Sequence, residues 1–159
     1  MRRSFALGAV SAVFLLAFAA VPVAATTPLD VEFAVTTTGP EGGPTGGPFV
    51  ASGPAVDAGL VCPTGTTIDV GAKAAGFQSQ AGVNLLVVKA FDCDDLSGSF
   101  IVKLQVRLDR RGDNFAWVVV NGDGAYARLR GAGDGYGIPF GTGPDVGVDD
   151  FYIGALHID

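Results

Sequence analysis

The chain of 159 residues contains few of the residues that most often carry enzyme chemistry. It has a single histidine, His157, and no G-x-S-x-G sequence of the kind that holds the nucleophilic serine of α/β-hydrolases. A catalytic histidine needs a partner group and a place in a pocket, and His157 is an isolated histidine in the final predicted strand, two residues from the end of the chain. The sequence therefore contains no recognisable catalytic set, and we interpret His157 as a packing or surface residue.

Charged residues are also scarce, at 16% of the chain, and most are acidic. The formal net charge is −6, and it becomes −8 without the two arginines near the N-terminus, because 8 basic residues then face 16 acidic ones. Such a surface repels nucleic acid and anionic lipid head groups. After position 25 the sequence has no apolar run of membrane-spanning length. We therefore expect neither nucleic acid nor a membrane as a partner of the mature protein.

The first 25 residues have the pattern of a cleaved export signal. Arg2 and Arg3 form a positive segment, residues 5–20 are almost wholly apolar, and residues 23–25 supply small side chains for cleavage. An uncleaved membrane anchor is the alternative, but Pro22 and the small residues after it favour cleavage. The sequence thus predicts a signal peptide over 1–25 and a secreted protein over 26–159, which is a length typical of one domain.

Only two cysteines are present, Cys62 and Cys93, and both lie in the exported part. Disulfides persist outside the cytoplasm, so this pair predicts one bridge. Closing a loop of about 30 residues contributes roughly 3–4 kcal/mol in the chain-entropy estimate. A metal or redox role is the alternative, but the set is poor for zinc and no C-x-x-C sequence is present. We predict a structural disulfide, no metal and no cofactor.

Alternation of apolar and polar residues predicts an all-β fold. The clearest example is 100–109, whose apolar face consists of Phe100, Val102, Leu104, Val106 and Leu108. Other strand candidates, some of them short, are 29–36, 49–51, 60–61, 66–70, 83–92, 115–120, 131–138 and 148–158. No amphipathic helix of ordinary length is evident. The pattern predicts an antiparallel barrel or sandwich, and barrel closure would remove exposed sheet edges.

The segments between these strands carry turn signals. Residues 37–48, TTGPEGGPTGGP, are too rich in glycine and proline for a helix or central strand, and we expect a flexible loop there. Residues 92–98, 110–114 and 121–124 are expected to form turns, and 125–130 one helical turn.

Glycines recur at alternate positions after the last of these turns. Gly131, Gly133, Gly135 and Gly137 would share one face of a strand. Such a row lets another element or a bound molecule approach the backbone closely. The spacing therefore predicts either a bent barrel strand against a neighbouring turn or a place for a ligand.

The sequence from Trp117 to Gly133, WVVVNGDGAYARLRGAG, resembles the strand, glycine turn, aromatic and glycine segment of the allene oxide cyclase and dirigent superfamily. The resemblance covers 83–159. It implies an eight-stranded antiparallel β-barrel that acts on an apolar small molecule, and it assigns no catalytic residue to this chain. Lipocalins are a rival barrel family, but they carry an early glycine–any–tryptophan sequence, whereas the only tryptophan here is Trp117.

Four aromatic residues are the candidates for contact with a ligand: Trp117, Tyr126, Tyr136 and Tyr152. A ring with a polar tip suits a barrel mouth, although the same residues also suit an ordinary core. The acidic stretches 92–95 and 145–150 lack the pattern of a calcium loop, and we interpret both as solvated turns. Arg128 and Arg130 flank Leu129 and are expected to pair with nearby aspartates.

These patterns predict a secreted β-barrel that binds a small apolar molecule in its interior. A cyclase, isomerase or dirigent-like protein that holds a reactive apolar substrate is a second hypothesis. A structural protein with a core filled by side chains is the third, because small barrels are often packed solid. Inward polar groups in a cavity would favour the enzyme, whereas an interior filled by Phe100, Leu104 and Trp117 would favour the structural protein.

Overall fold

The computed structural model describes residues 26–39, 45–75, 82–109, 112–141 and 146–159. Its strands are β1 Leu29–Thr38, β2 Gly46–Ser52, β3 Thr64–Ala74, β4 Val83–Cys93, β5 Ser99–Asp109, β6 Gly112–Gly122, β7 Leu129–Phe140 and β8 Gly147–Ile158. Each strand pairs antiparallel with the next, and β8 pairs with β1, so the sheet closes. The prediction of an all-β, eight-stranded antiparallel barrel is confirmed.

Strand alternation separates the interior of the barrel from its outer surface. In β5, Phe100, Val102 and Leu104 are buried, whereas Lys103 between them is exposed, as the period of two predicts. Leu108 belongs to the same face but is 38% exposed, because it lies near the end of the barrel. Full burial of one large apolar side chain contributes roughly 1.5–3 kcal/mol, so this alternation is strongly favoured.

An aromatic cluster fills the middle of the barrel, with Phe33 of β1 at its centre. The Phe33 ring lies 5.6–6.3 Å, between centroids, from the rings of Phe49, Phe91, Phe100, Trp117 and Tyr152. Most of these pairs meet edge to face, an arrangement that aromatic quadrupoles favour. Because the six rings come from six strands, the cluster ties most of the barrel together.

The interior glycines of β7 and β8 make room for two of the large rings. An ideal Cβ on Gly135 would collide with the Phe115 ring, and one on Gly154 would lie 2.5 Å from Cζ2 of Trp117. The close approach to the backbone that the alternate glycines predict is made at Gly135 by the Phe115 ring of β6 and at Gly133 by the backbone of β8.

One end of the barrel, here called the disulfide end, is covered by the connections between strands. The short helix α1, Pro54–Asp57, buries Ala55 completely, and a 3₁₀ turn over Gly124–Tyr126 buries Tyr126. Cys62 in the β2–β3 connection and Cys93 at the end of β4 form a disulfide, with 6.0 Å between their Cα atoms. The predicted bridge between these cysteines is confirmed.

Both described chain ends also lie at the disulfide end. The backbone N–H of Thr26 donates to the carbonyl of Ile158 over 2.9 Å, and the N–H of Ile158 donates to Oγ1 of Thr26 over 2.8 Å. The pairing of β1 with β8 thus continues almost to the last residue.

Strand pairing extends into segments that the sequence assigns to loops. Within 37–48, Thr38 ends β1 and pairs with Gly46, the first residue of β2. Residues 40–44 lie outside the described residues. In β3 the register shifts between Asp69 and Gly71, and pairing with β4 continues to Ala74, beyond the predicted strand. Hydrogen bonds to a neighbouring strand override the weak local preference of these residues.

Three smaller predictions need correction. Residues 60–61 are not a strand, because Val61 is buried as part of the cover at the disulfide end. Residues 112–114, predicted as part of a turn over 110–114, belong to β6, and residues 110–111 lie outside the described residues. The helical turn predicted over 125–130 is Gly124–Tyr126.

In the part of the chain that the structure describes, none of the helices has the length and apolar character needed to cross a membrane. The predicted signal peptide, 1–25, lies outside that part.

Candidate functional site

Polar side chains meet inside the barrel at the end opposite the disulfide, where β1, β3, β5 and β7 finish. We call this the polar end. Lys89 of β4 points inward, is 3% exposed, and places Nζ 2.9 Å from Oδ1 of its cross-strand neighbour Asp69. Oδ2 of Asp69 accepts a hydrogen bond from Thr45. Burying an unpaired charge costs several kcal/mol, and the ion pair with Asp69 offsets this cost for Lys89.

A chain of hydrogen bonds crosses the barrel from this ion pair. Nζ of Lys89 also donates to Oγ1 of Thr37 on β1 over 3.3 Å, and Thr37 donates to Oδ2 of Asp150 on β8 over 3.0 Å. The Lys89 amine and the Asp150 carboxyl are thereby connected through one hydroxyl group. Three strands hold these groups, so their relative positions are fixed by the sheet.

Asp150 is 7% exposed, and its acidity is strongly altered. Burial raises its pKa to about 7, and the Asp113 carboxylate adds to the rise. The positive charge of Lys89 and the hydrogen bond from Thr37 both lower the pKa of Asp150, but by less than burial and Asp113 raise it. Burial also raises the pKa of Asp113 on β6. Asp150 can therefore gain or lose a proton near neutral pH, as a general acid or base must.

Apart from Oδ1 of Asp69, which contacts Lys89, two buried polar atoms of this region have no hydrogen-bond partner among the described residues: the Tyr152 hydroxyl and Oδ1 of Asp113. Burial raises the pKa of Tyr152 well above its usual range, and the nearby carboxylates of Asp150, Asp69 and Asp113 raise it further. The hydroxyl therefore stays protonated and can donate a hydrogen bond. Leaving such a group unpaired costs about 1–3 kcal/mol.

We define the polar cluster as the set Thr37, Asp69, Lys89, Asp113, Asp150 and Tyr152. Apolar surface adjoins it, since the Tyr152 ring lies 4.7 Å, between centroids, from the ring of Phe115. The cluster can donate and accept hydrogen bonds, hold charge, and exchange a proton inside an otherwise apolar barrel.

The four aromatic residues predicted to contact a ligand do not form one site. Trp117 and Tyr152 lie in the aromatic cluster, 6.2 Å apart between centroids. Tyr126 covers the disulfide end, where its hydroxyl shares a hydrogen bond of 2.7 Å with Ser97. Tyr136 is 42% exposed on the outer surface. Of these four, Tyr152 is the one that belongs to the polar cluster.

Most of the polar cluster is not evident from the sequence. The prediction of a solvated turn for Asp150 is wrong, because this residue is buried in β8. The inward position of Lys89 could have been predicted from the sequence. Val87, Lys89 and Phe91 are at alternate positions of β4, so they share the inward face.

The outcomes for other charged residues are simpler. Asp92, Asp94 and Asp95 are all exposed, as predicted. The predicted turn beside Cys93 is confirmed for Asp94 and Asp95, whereas Asp92 belongs to β4. The predicted pairing of Arg130 with an aspartate is also confirmed, since its Nε lies 2.9 Å from Asp159.

The residues described by the structure include no group of three or more histidine, cysteine, aspartate or glutamate side chains that could hold a metal ion. Comparisons with protein-family models, curated proteins and solved structures find no match to this chain. The similarity to the allene oxide cyclase and dirigent superfamily thus stays a prediction from the sequence. The function must therefore be inferred from the geometry of the barrel.

Proposed function

We propose that the protein is a secreted binding protein that accepts the polar group of a small, largely apolar molecule in the polar cluster. The observation that carries the proposal is the buried Tyr152 hydroxyl, which has no partner among the described residues and lies near three carboxylates. Replacing a buried ion pair by packed apolar side chains is often neutral or stabilising, by about 1–4 kcal/mol. Stability alone therefore does not account for the polar cluster, which supports a role for it in ligand binding.

The chemistry of the cluster suggests the kind of ligand. Tyr152 offers a hydrogen-bond donor and Asp113 an acceptor, so a ligand hydroxyl could pair with both. The neighbouring rings would contact the apolar part of the ligand. Because the aromatic cluster occupies the middle of the barrel, the proposal places the ligand at the polar end. Secretion is supported by the signal-like pattern of 1–25 and is compatible with the disulfide.

A second candidate is an enzyme of the cyclase or isomerase type, and Asp150 is the observation that favours it. An isomerase needs a group that takes a proton from the substrate and returns it near neutral pH. The Asp150 carboxyl has a pKa raised to about 7 and is oriented by Thr37. The filled aromatic core, in contrast, favours the structural hypothesis.

The test uses residues 26–159 with 1-naphthol as the probe and 1-methylnaphthalene as its match without a hydroxyl, both followed by calorimetric titration. We expect 1-naphthol to bind more tightly. Tyr152→Phe should weaken its binding roughly threefold to tenfold, which corresponds to the loss of one hydrogen bond. Tyr126→Phe is the matched control, because it removes a buried hydroxyl at the disulfide end and should leave the affinity unchanged.

Three outcomes would separate the hypotheses. If neither probe binds, and native mass spectrometry of the exported protein detects no bound molecule, the structural hypothesis replaces the proposal. If a bound molecule is found, and wild type but not Asp150→Asn converts it to an isomer, the enzyme is supported. Equal weakening by the two tyrosine variants would remove the polar cluster from the binding site.

A further inference from the structure

An apolar groove crosses the outer surface of β3, β4, β5 and β6, and we call it the outer groove. The strand register arranges its residues in three rows. The first rim consists of Gly71, Val88, Lys103 and Val118, the second rim of Lys73, Leu86, Gln105 and Ala116, and the row between them of Ala72, Val87, Leu104 and Trp117. Leu104 and Trp117 are buried, with side chains in the interior, so the groove lies on the other side of the sheet.

The dimensions of the outer groove suit a small elongated molecule. Its volume is about 700 Å³, within the range of roughly 300–1,000 Å³ for small-molecule sites. Neighbouring strands are about 4.8 Å apart, so a groove over four strands is roughly 14 Å long. Val118 on one rim is 43% exposed, and Leu86 on the other is partly exposed. Covering these side chains would remove apolar surface from water.

The charge of the outer groove differs from that of the whole chain. The chain has a net charge of −6, but the charged residues lining the groove are two lysines, Lys73 on one rim and Lys103 on the other. Neither lysine forms a salt bridge within the described residues. Lysine stems cover apolar surface while the ammonium groups remain in water, where they can meet an anion.

We propose that the outer groove binds an anionic amphiphile with a single alkyl chain and a carboxylate head group, such as a fatty acid. The alkyl chain lies between the two rims, and the carboxylate pairs with Lys73 or Lys103. This site is separate from the polar cluster, because the sheet stands between them, and it does not depend on the function proposed above.

Gly71 offers a direct way to block the outer groove. An ideal Cβ on Gly71 would find its nearest neighbour at 4.0 Å, the Cβ of Val88, and the backbone there does not need glycine. A larger side chain at this position would therefore enter the groove without displacing the sheet. Gly71→Leu should fold normally and exclude the alkyl chain.

The experiment titrates residues 26–159 with dodecanoate, below its micelle concentration, by calorimetry and by amide chemical-shift mapping. We expect one dodecanoate per chain, with shifts confined to the three rows of the groove. Gly71→Leu should reduce the affinity at least tenfold. Lys73→Gln combined with Lys103→Gln should reduce it roughly threefold to tenfold, and added salt should weaken binding to wild type.

Matched controls keep the result specific. Val118→Asp should abolish binding, whereas Val50→Asp places the same charge at another exposed valine and should not change it. Arg128→Gln removes an exposed cation elsewhere and should also have no effect. Dodecanol should bind more weakly than dodecanoate.

Several results would overturn the proposal. Chemical shifts at the polar end instead of the groove would assign dodecanoate to the interior. Equal affinity for dodecanol, with no effect of the lysine changes, would exclude recognition of the anion. A concentration-dependent dimer in sedimentation experiments that protects the groove amides would show that a second copy of the chain covers this surface.

Discussion

Asp149 and Asp150 are adjacent in the sequence and lie in opposite environments. Asp149 accepts a hydrogen bond of 2.9 Å from Thr36, and Asp150 one of 3.0 Å from Thr37, so two threonine–aspartate pairs alternate along β1 and β8. Asp150 belongs to the polar cluster, and burial raises its pKa to about 7. The face of the strand on which a residue lies therefore decides its chemistry.

The raised pKa of Asp150 predicts a dependence of stability on pH. The ordinary pKa of an aspartate is 3.8, whereas that of Asp150 in the folded protein is about 7, so between these pH values the folded protein binds more protons than the unfolded chain. The free energy of unfolding should therefore fall as the pH rises from about 4 to about 7, by at most about 1.4 kcal/mol per pH unit for this group. Burial also raises the pKa of Asp113, so this residue should likewise lower the free energy of unfolding as the pH rises.

Urea denaturation at pH 5, 6, 7 and 8 measures this effect. Wild type should be less stable at pH 8 than at pH 5, and Asp150→Asn should lose most of that difference and be the more stable protein at pH 8. Asp149→Asn is the control from the other face and should keep the wild-type profile. An unchanged slope in Asp150→Asn would contradict the assignment of a raised pKa to this residue.

The sequence contained part of this information about single residues. In a strand over 148–158, Asp150 must share a face with Tyr152, and the alternation alone gives that result. Burial of that face did not by itself indicate a buried Asp150, because an aspartate is almost never fully buried without a partner. Its partner Thr37 is 113 residues away in the sequence, and no local pattern connects the two.

At the scale of elements, β7 shows how a strand of small residues supports large neighbours. Gly135 pairs with Phe115 on one side and with Tyr152 on the other, and the Phe115 ring occupies the space that a Cβ on Gly135 would enter. The alternate glycines predicted a face open to close approach, and the structure confirms it. The identity of the approaching groups depends on the register between strands, which local sequence does not determine.

Gly135→Ala should destabilise the barrel, because its Cβ would collide with the Phe115 ring. Overpacking of this kind costs about 1–3 kcal/mol. Gly71→Ala is the matched control: the space at Gly71 is open, so alanine there should be neutral or stabilise by roughly 0.4–1 kcal/mol. Chemical denaturation measures both free energies of unfolding.

A double variant identifies the collision as the cause. Combining Gly135→Ala with Phe115→Leu should cost less than the sum of the two single changes, since the smaller side chain leaves room for the new methyl group. Strict additivity would show that Phe115 is not the group in conflict with residue 135.

At the scale of the whole molecule, closure is what distinguishes this fold from a sandwich. The decisive contact is the pairing of β1 with β8, which runs from Leu29 opposite Leu156 to Thr38 opposite Gly147. The sequence predicted both architectures from short alternating strands, because the pattern within each strand is the same in both. Barrel closure depends on a pairing between the two ends of the chain, and it was favoured in advance by the removal of exposed sheet edges and by the resemblance to a barrel family.

The disulfide should stabilise the entire barrel. Cys62 and Cys93 are 31 residues apart, and the loop-entropy estimate for such a closure is roughly 3–4 kcal/mol. Reduction, or replacement of both cysteines by alanine, should lower the free energy of unfolding by about this amount. Denaturation with and without reductant measures it, and intact mass before and after alkylation counts the thiols. Free thiols in freshly exported protein would contradict the bridge.

The hydrogen bonds between Thr26 and Ile158 have a practical consequence for engineering. A short glycine–serine linker could connect residue 159 to residue 26, and a new start could be opened in the exposed turn around Leu96, giving a circular permutant with the same eight strands. In the protein without permutation, a surface tether attached at residue 26 or residue 159 would hold the molecule by its disulfide end. The polar end would then point away from the support.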